Sequence, residues 1–295
     1  MEGGGNCMAS QAEKAEAFRS LHQGPRPLVL PNAWDVPSAR VFEEAGFPAV
    51  ATSSAGMMVS HGYRDGEEMP RRDFLAAVAR IAGRLEVPLS VDIVAGYGRS
   101  ARTVTAVVDQ VIRSGAVGVN IEDKLPDGSG LYRISSQLRR LTAVRQAATA
   151  SGIPLVVNAR TDAFRADTGD EASRLREAIR RASAYRDAGA DCVYPMGVTD
   201  AASIATFVEA LRCPVNVMVR PGLPPLSQLE SLGVRRVSFG PSASYATLGL
   251  LKRVSREVLD RGSFDLLLEG AIAYDELNRL AMPRVSPPSE ARRRV

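Results

Sequence analysis

Acidic and basic side chains follow three apolar runs of this chain, at the point where each run ends. The runs cover residues 88–91, 117–121 and 154–157. Asp92 and a Gly-Tyr-Gly turn follow the first run, Glu122 follows the second, and Arg160 lies just after the third. Such runs predict buried strands of a parallel sheet, and these folds build their active sites at the carboxyl ends of the strands. Two carboxylates and a guanidinium at one sheet edge indicate a divalent metal that holds an acidic substrate.

Eight units, each a short apolar run followed by an amphipathic segment, are predicted along the chain. The predicted strands cover residues 28–30, 49–52, 89–92, 117–121, 155–158, 192–194, 215–218 and 234–239. The helices that follow them cover residues 36–45, 71–85, 101–114, 136–150, 171–188, 201–211, 226–231 and 243–259, with apolar residues at three- and four-residue spacing. Eight units in about 250 residues predict an α/β fold, a (β/α)8 TIM-type barrel. A doubly wound sheet is the alternative, because a sequence does not show closure.

The barrel is expected to occupy residues 16–262 as one catalytic domain. Residues 1–15 and 283–295 are expected to be disordered ends. Between the barrel and the tail, residues 263–282 form an extra C-terminal helical segment with no barrel strand left to cover. Because an apolar segment of this kind should not face water, it predicts a homo-oligomer.

Composition excludes several classes of protein. The chain has 295 residues, is 45% hydrophobic and carries a formal net charge of +4. Its basic residues are scattered among acidic ones, so no nucleic-acid partner is expected. Three cysteines are too few and too scattered for a disulfide framework or a zinc site. No apolar run approaches the length of a membrane span and no signal segment is evident, so we expect a cytoplasmic protein without membrane contact.

Seven short motifs occur in a diagnostic order. They are PNAWD at residues 31–35, TSSAG at 52–56, GYRDG at 62–66, Asp92 with GYG at 96–98, NIED at 120–123, NARTD at 158–162 and AGAD at 188–191. Over about residues 28–250 this ordered set resembles the isocitrate lyase/phosphoenolpyruvate mutase superfamily. The resemblance implies a modified β/α barrel that uses Mg²⁺, or Mn²⁺ in its place, to bind an α-keto acid or its enolate. It also implies cleavage or formation of C–C or P–C bonds, in a tetramer that exchanges a C-terminal helix.

The resemblance assigns roles residue by residue. Asp92 corresponds to the direct metal ligand, while Asp65 and Glu122 correspond to acids that hold the metal through waters. Arg160 corresponds to the arginine that pairs with the substrate; a structural ion pair with Asp162 or Glu122 is its alternative. The other predicted site residues are Ser53, Ser54 and Ala55, which receive a substrate oxygen, together with Trp34, Tyr97, Lys124 and Asn216. Trp34 and Tyr97 have core packing as their alternative, and Lys124 has a solvated loop position.

Two departures from the family pattern bear on the chemistry. Val94 stands where the family usually has a second acid, two residues after the metal aspartate, and residues at this spacing in a strand face the same side. The loop after Glu122 lacks the cysteine and histidine of the isocitrate and methylisocitrate lyases. Gly128 and Gly130 in that loop still suit a mobile lid.

Three function classes remain open at the level of sequence. The first is a Mg²⁺-dependent lyase that cleaves or forms a C–C bond in a small α-keto or hydroxy carboxylic acid through a metal-stabilised enolate. The second is a mutase or hydrolase that acts on the P–C bond of a phosphonopyruvate-like substrate. The third is a repurposed, non-catalytic family member.

Overall fold

The structure, a computed structural model, describes residues 9–166 and 169–282. Its strands are β1 Leu28–Leu30, β2 Asn32–Ala33, β3 Val50–Thr52, β4 Leu89–Asp92, β5 Gly118–Glu122, β6 Val156–Thr161, β7 Cys192–Pro195, β8 Asn216–Met218 and β9 Arg236–Ser238. Its α-helices are α1 Gln11–Leu21, α2 Val36–Glu44, α3 Ser54–Ser60, α4 Arg71–Ala82, α5 Ala101–Arg113, α6 Ile134–Ser151, α7 Glu171–Asp187, α8 Ala201–Leu211, α9 Leu226–Ser231, α10 Ser242–Arg261, α11 Asp265–Leu268 and α12 Tyr274–Ala281. A short 3₁₀ helix covers Ala163–Arg165.

The strands close into a ring in which every pairing is parallel. Strands β2 to β7 are hydrogen-bonded in chain order, and β9 lies between β1 and β8. Only Pro31 separates β1 from β2, so the two form one barrel strand that is interrupted where proline has no N–H to donate. A parallel bridge from Val193 to Val215 joins β7 to β8. The (β/α)8 barrel is therefore confirmed, and the doubly wound alternative is wrong.

Asn32 stabilises the closure of the barrel through hydrogen bonds to the strands on both sides of its own. Its Nδ2 donates to the Thr52 carbonyl at 2.8 Å. Its Oδ1 accepts from the backbone N–H groups of Phe239 and Gly240, both at 2.9 Å. One buried amide thus bonds to both neighbours of its own strand, and it stabilises closure at the edge where the polar side chains gather.

Helix α1 closes the opposite end of the barrel. A capping box of Ser10 and Glu13 begins the helix. Phe18, which is fully buried, packs in a small core with Leu28, Leu30 and other side chains from the barrel interior. The expected disorder is therefore wrong for residues 11–15, because this helix seals the barrel floor; residues 1–8 lie outside the described residues.

The C-terminal helices differ in how they meet the barrel. Along α10 only Ser244 is buried. Helix α12 instead packs on α2 of its own chain: Leu280 is buried, and Arg279 Nη1 lies 2.6 Å from Glu44 Oε1. The exposed apolar surface thus begins earlier than predicted, on α10. The predicted tail, residues 283–295, lies outside the described residues.

His22, at the end of α1, is a buried titratable group below the barrel. Its Nδ1 lies 2.8 Å from the Phe18 carbonyl, and its Nε2 has no partner among the described residues. Burial, with a smaller contribution from the charge of Arg236, lowers the pKa of His22 from 6.5 to about 4. Between these values the unfolded chain binds a proton that the folded chain does not, so folding stability falls as the pH drops from 6.5 to 4.

We expect His22→Gln to flatten the acid side of the stability profile. A shift of this size corresponds to about 3 kcal/mol across the window, and a side chain that cannot titrate removes this dependence. Melting temperatures at pH 7 and pH 4.5 measure it. His61→Gln, at the exposed second histidine of the chain, is the matched control and should keep the natural slope. Equal slopes in the two variants would contradict the assignment.

Candidate active site

A cavity of about 460 Å³ opens at the carboxyl ends of the strands and reaches into the barrel. Most of the site residues predicted from the sequence line it together: Ser53, Ser54, Ala55, Asp65, Asp92, Glu122, Lys124, Arg160 and Asn216. Trp34 and Tyr97 lie outside this lining. The structure thus brings the predicted carboxylates, the arginine and the serine loop into one site.

Polar residues reach the cavity at every second position of several strands. The register places Asn120 between Asp92 and Asn158 on neighbouring strands, and Glu122 beside Arg160. Because residues two apart on a strand face the same side, these side chains point to the barrel axis. Asp123, the next residue after Glu122, faces the helix layer instead. There its carboxylate accepts from Tyr185 Oη at 2.7 Å, so its role is structural.

Asp92 is held by donors on both carboxylate oxygens. Ser54 Oγ donates to Oδ2 at 2.6 Å. Asn120 Nδ2 donates to Oδ1 at 2.9 Å, and the Val94 backbone N–H donates to the same atom at 3.2 Å. Asn158 Nδ2 in turn donates to Asn120 Oδ1 at 2.8 Å. This chain of bonds fixes the carboxylate, and it gives the Ser54 hydroxyl an orienting role within the protein.

Arg160 is shared between two carboxylates. Its Nε and Nη2 donate to the two oxygens of Asp162 at 2.7 and 2.8 Å, a bidentate pairing. Its Nη1 lies 2.8 Å from Glu122 Oε2. The structural ion pair that the sequence left open is thus present with both predicted partners. A guanidinium has five N–H donors, so two remain for a ligand in the cavity.

The carboxylates of the site raise one another's pKa values. Burial raises the pKa of Glu122 to about 8; Arg160 opposes this shift, and Asp162, Asp92 and Asp65 add to it. Burial and the charge of Asp92 also raise the pKa of Asp65. The charged forms of these carboxylates are therefore disfavoured where the acids cluster, and a cation bound among them would stabilise those charged forms.

The donor set fits a hydrated hard cation. Within residues 9–166 and 169–282, no three His, Cys, Asp or Glu side chains lie close enough together to bind one ion directly. Mg²⁺ keeps several of its waters and is held by one or two carboxylates, so Asp92 as the direct ligand, with Asp65 and Glu122 behind waters, is sufficient. Mn²⁺ is suited to the same oxygen donors.

Val94 lines the cavity beside Asp92, as its spacing predicted, but not as part of the strand. Strand β4 ends at Asp92, and Val94 has φ of 54°. This left-handed conformation is a genuine outlier for a β-branched residue. Val94 is buried, and its carbonyl accepts from the Glu122 N–H at 2.9 Å. A strained backbone thus links the turns that carry the two acids.

The loop after Glu122 covers part of the opening. Lys124 forms an antiparallel bridge with Leu131, so the loop is a short hairpin. Lys124, Leu125 and Pro126 line the cavity. Asp127 at its tip pairs with Arg99 at 2.7 Å. Lys124 is therefore the cation that this hairpin brings to the site.

The two aromatic residues that lie outside the lining pack in the core. The Tyr97 ring stacks on Phe74 with ring centroids 4.9 Å apart. Trp34 packs partly buried against the main core, close to Gly56 in α3. Both residues therefore follow the packing alternative. The structure does not support a site role for either residue.

Several polar lining residues were not predicted as site residues. They are Asn32, Ser90, Asn120, Asn158, Arg236 and Ser238. All lie on strands, where buried parallel strands are expected to be apolar throughout. Polar residues at alternate positions of otherwise apolar runs were the signal that could have found them.

Comparison with known proteins agrees with the geometry. The sequence model of the family described as Phosphoenolpyruvate phosphomutase matches residues 18–259. The chain belongs to this family. It is 29% identical to a 2-methylisocitrate lyase of Bacillus subtilis, over 88% of this chain and 86% of the relative. It is 27% identical to an oxaloacetate decarboxylase of Ectopseudomonas mendocina, over 81% and 82%.

A solved structure extends the likeness to the fold. The phosphonopyruvate hydrolase complex with oxalate and Mg²⁺ has a TM-score of 0.78 and 26% identity, and the match covers 90% of this chain and 94% of that one. The curated relatives of this phosphoenolpyruvate phosphomutase family member are named as lyases and a decarboxylase. No described helix is long and apolar enough to cross a membrane.

We expect Arg160→Lys to lower the melting temperature by several degrees, because an ammonium cannot reproduce the fork on Asp162. Loss of such a charged hydrogen-bond pair costs about 1.5–3 kcal/mol. Arg165→Lys is the control, since Arg165 is half exposed and lies 3.8 Å from the same carboxylate. Differential scanning calorimetry of both variants decides the matter, and equal melting temperatures would show that the Arg160 fork contributes no stability.

Proposed function

We propose that this enzyme is a Mg²⁺-dependent lyase that cleaves or forms a C–C bond in a small α-keto or hydroxy carboxylic acid through a stabilised enolate. The observation that carries the proposal is the Asp92 carboxylate, fixed by Ser54, Asn120 and the Val94 N–H beside two further acids. Relatives named for methylisocitrate and oxaloacetate support this choice of substrate class.

Each group of the site has a defined task in this proposal. Mg²⁺, when bound, supplies a Lewis acid for the oxygen of the substrate that becomes the enolate oxygen. Asp92 would bind the ion, and Glu122 and Asp65 would hold its waters. The free donors of Arg160 orient the substrate carboxylate. Lys124, on the hairpin, balances the negative charge of that carboxylate. Asn216 lines the cavity, and its Oδ1, buried without a hydrogen-bond partner among the described residues, would offer the substrate an acceptor.

The phosphonate reaction is the second candidate, favoured by the likeness to a phosphonopyruvate hydrolase. It needs the same enolate site and additional cations for the phosphoryl group. Turnover of oxaloacetate, methylisocitrate and phosphonopyruvate with Mg²⁺ separates the candidates. We expect cleavage of oxaloacetate or methylisocitrate. Turnover of phosphonopyruvate alone would establish the second candidate. No turnover together with no binding of oxalate, an enolate mimic, would identify a non-catalytic member.

We expect Asp92→Asn to abolish Mg²⁺-dependent binding of oxalate and to preserve the fold, because the amide keeps the shape of the side chain and loses its charge. Isothermal titration with and without Mg²⁺ measures the effect, and circular dichroism checks the fold. Asp73→Asn, on the exposed side of α4, is the control and should bind as the natural protein does. Unchanged metal-dependent affinity in Asp92→Asn would remove Asp92 from the metal site.

We expect Val94→Asp to tighten Mg²⁺ binding roughly tenfold, since each 1.4 kcal/mol of added attraction is a factor of ten. Val94→Asn is the matched control. Both residues tolerate the left-handed backbone better than valine does, but only aspartate adds charge. Tighter Mg²⁺ binding in both variants would show that the effect comes from relief of backbone strain at position 94. Unchanged binding in both would show that position 94 does not face the metal.

We also propose a homo-oligomer, a tetramer built as a dimer of dimers. Support comes from the exposed apolar residues on α10 and the segment after it, of which Leu259 is 84% exposed. The others include Leu248, Leu251, Phe264, Leu268 and Tyr274. The helix exchange implied by the family resemblance and the cytoplasmic location both stay predictions.

Light scattering at micromolar protein is expected to give the mass of four chains. The double variant Leu251→Glu/Leu259→Glu should dissociate the assembly, because it places charges in an apolar interface. Lys252→Glu, a charge change on the same helix, should leave the mass unchanged. A monomeric mass for the natural protein would refute the proposal.

A further inference from the structure

Arg236 is a charged side chain inside the barrel. It lies on β9, next to Leu28 on β1 and Asn216 on β8. It is 2% exposed, yet it is among the residues that line the cavity, so the little surface that it exposes belongs to the cavity floor. Two residues further along the strand, Ser238 lies at a higher level of the same face.

The guanidinium of Arg236 lacks the partners that a buried cation needs. Nε and Nη1 are buried without a hydrogen-bond partner in the part of the chain that the structure describes. Its Cζ lies 6.0 Å from the centroid of the Phe18 ring. Asn216 Oδ1, on the adjacent strand, is also buried and has no hydrogen-bond partner within residues 9–166 and 169–282. A buried charge in this state is costly unless another group balances it.

Acidic and basic side chains lie on opposite sides of the cavity. In the ring of eight strands β5, which carries Glu122, lies opposite β9, which carries Arg236. Asp65 and Asp92 lie on the same side as Glu122. On the other side Arg220, after β8, also lines the cavity. A substrate that reaches from the carboxylate side to the β9 side therefore meets a cation at its far end.

We propose that Arg236 is a specificity-determining residue that binds a second carboxylate of the substrate, at the end remote from the metal. The inference rests on the proposed function and deepens it to acids with two carboxylates. A planar guanidinium with free donors matches a carboxylate in geometry as well as charge. Binding such a group would supply the partner that the protein itself does not.

Matched acids that differ by one carboxylate test the proposal. The pairs are 2-hydroxybutyrate with malate, and 2-hydroxyvalerate with 2-hydroxyglutarate. In the natural protein with Mg²⁺ we expect at least one diacid to bind ten- to a hundredfold more tightly than its monoacid, as for a charged hydrogen bond. Arg236→Met should abolish this difference while the affinities for oxalate and for the monoacids stay the same.

Stability measurements separate this role from a structural one. Arg236→Met should melt at the natural temperature or above it, since it removes an unpaired buried charge. Arg235→Met is the control and should keep the preference for diacids: Arg235 directly precedes β9, and its Nη1 donates to the Pro25 carbonyl at 2.9 Å. Arg236→Gln replaces the methionine variant if that variant does not fold.

Three results would overturn the inference. The first is a natural protein that does not distinguish diacids from monoacids. The second is an Arg236 variant that keeps the preference, and the third is a variant that loses oxalate, monoacids and diacids equally with a lower melting temperature. Failure of the proposed function gives a different result, because oxalate binding then does not depend on Mg²⁺. In that case the affinities for diacids and monoacids are compared without the metal.

Discussion

Charge inside a closed barrel is costly unless it is hydrogen-bonded or paired, and this constraint shapes the whole site. Closure of eight parallel strands turns alternate residues toward one axis, where little water is available. The protein meets the constraint on one side with the Ser54–Asp92–Asn120–Asn158 chain and the Arg160 fork. On the other side, at Arg236, it does not. The unbalanced groups mark where a metal and a substrate would bind.

The scaffold and the acidic side of the site were largely predictable from the sequence. Buried parallel strands are apolar runs, and Asp92, Glu122 and Arg160 each follow one, so their convergence required only that the strands share a sheet. The polar floor was not predicted, because Asn120 and Arg236 lie within runs that were read as apolar, and Asn158 was read as part of a motif. These polar residues occupy alternate strand positions because those positions face the barrel axis. The pattern can be interpreted only once the barrel is known to be closed.

Other differences have equally local causes. Helix α1 contains few large apolar residues, and its importance comes from a single side chain, Phe18, that seals the barrel floor. A ring such as Tyr97 packs wherever apolar surface is available, and sequence spacing does not reveal that surface. Even a diagnostic motif mixes roles: Asp191, in AGAD, pairs with Arg19 and Arg145 at the closed end of the barrel, away from the cavity.

The central claim is that Asp92 anchors a divalent cation facing a carboxylate substrate. A crystal structure of the protein with Mg²⁺ and oxalate tests it most directly. The account predicts an ion bound directly to an oxygen of Asp92, with Asp65 and Glu122 reaching it through waters and oxalate completing its coordination. An ion bound elsewhere, or oxalate seated in the cavity with no ion beside Asp92, would contradict it.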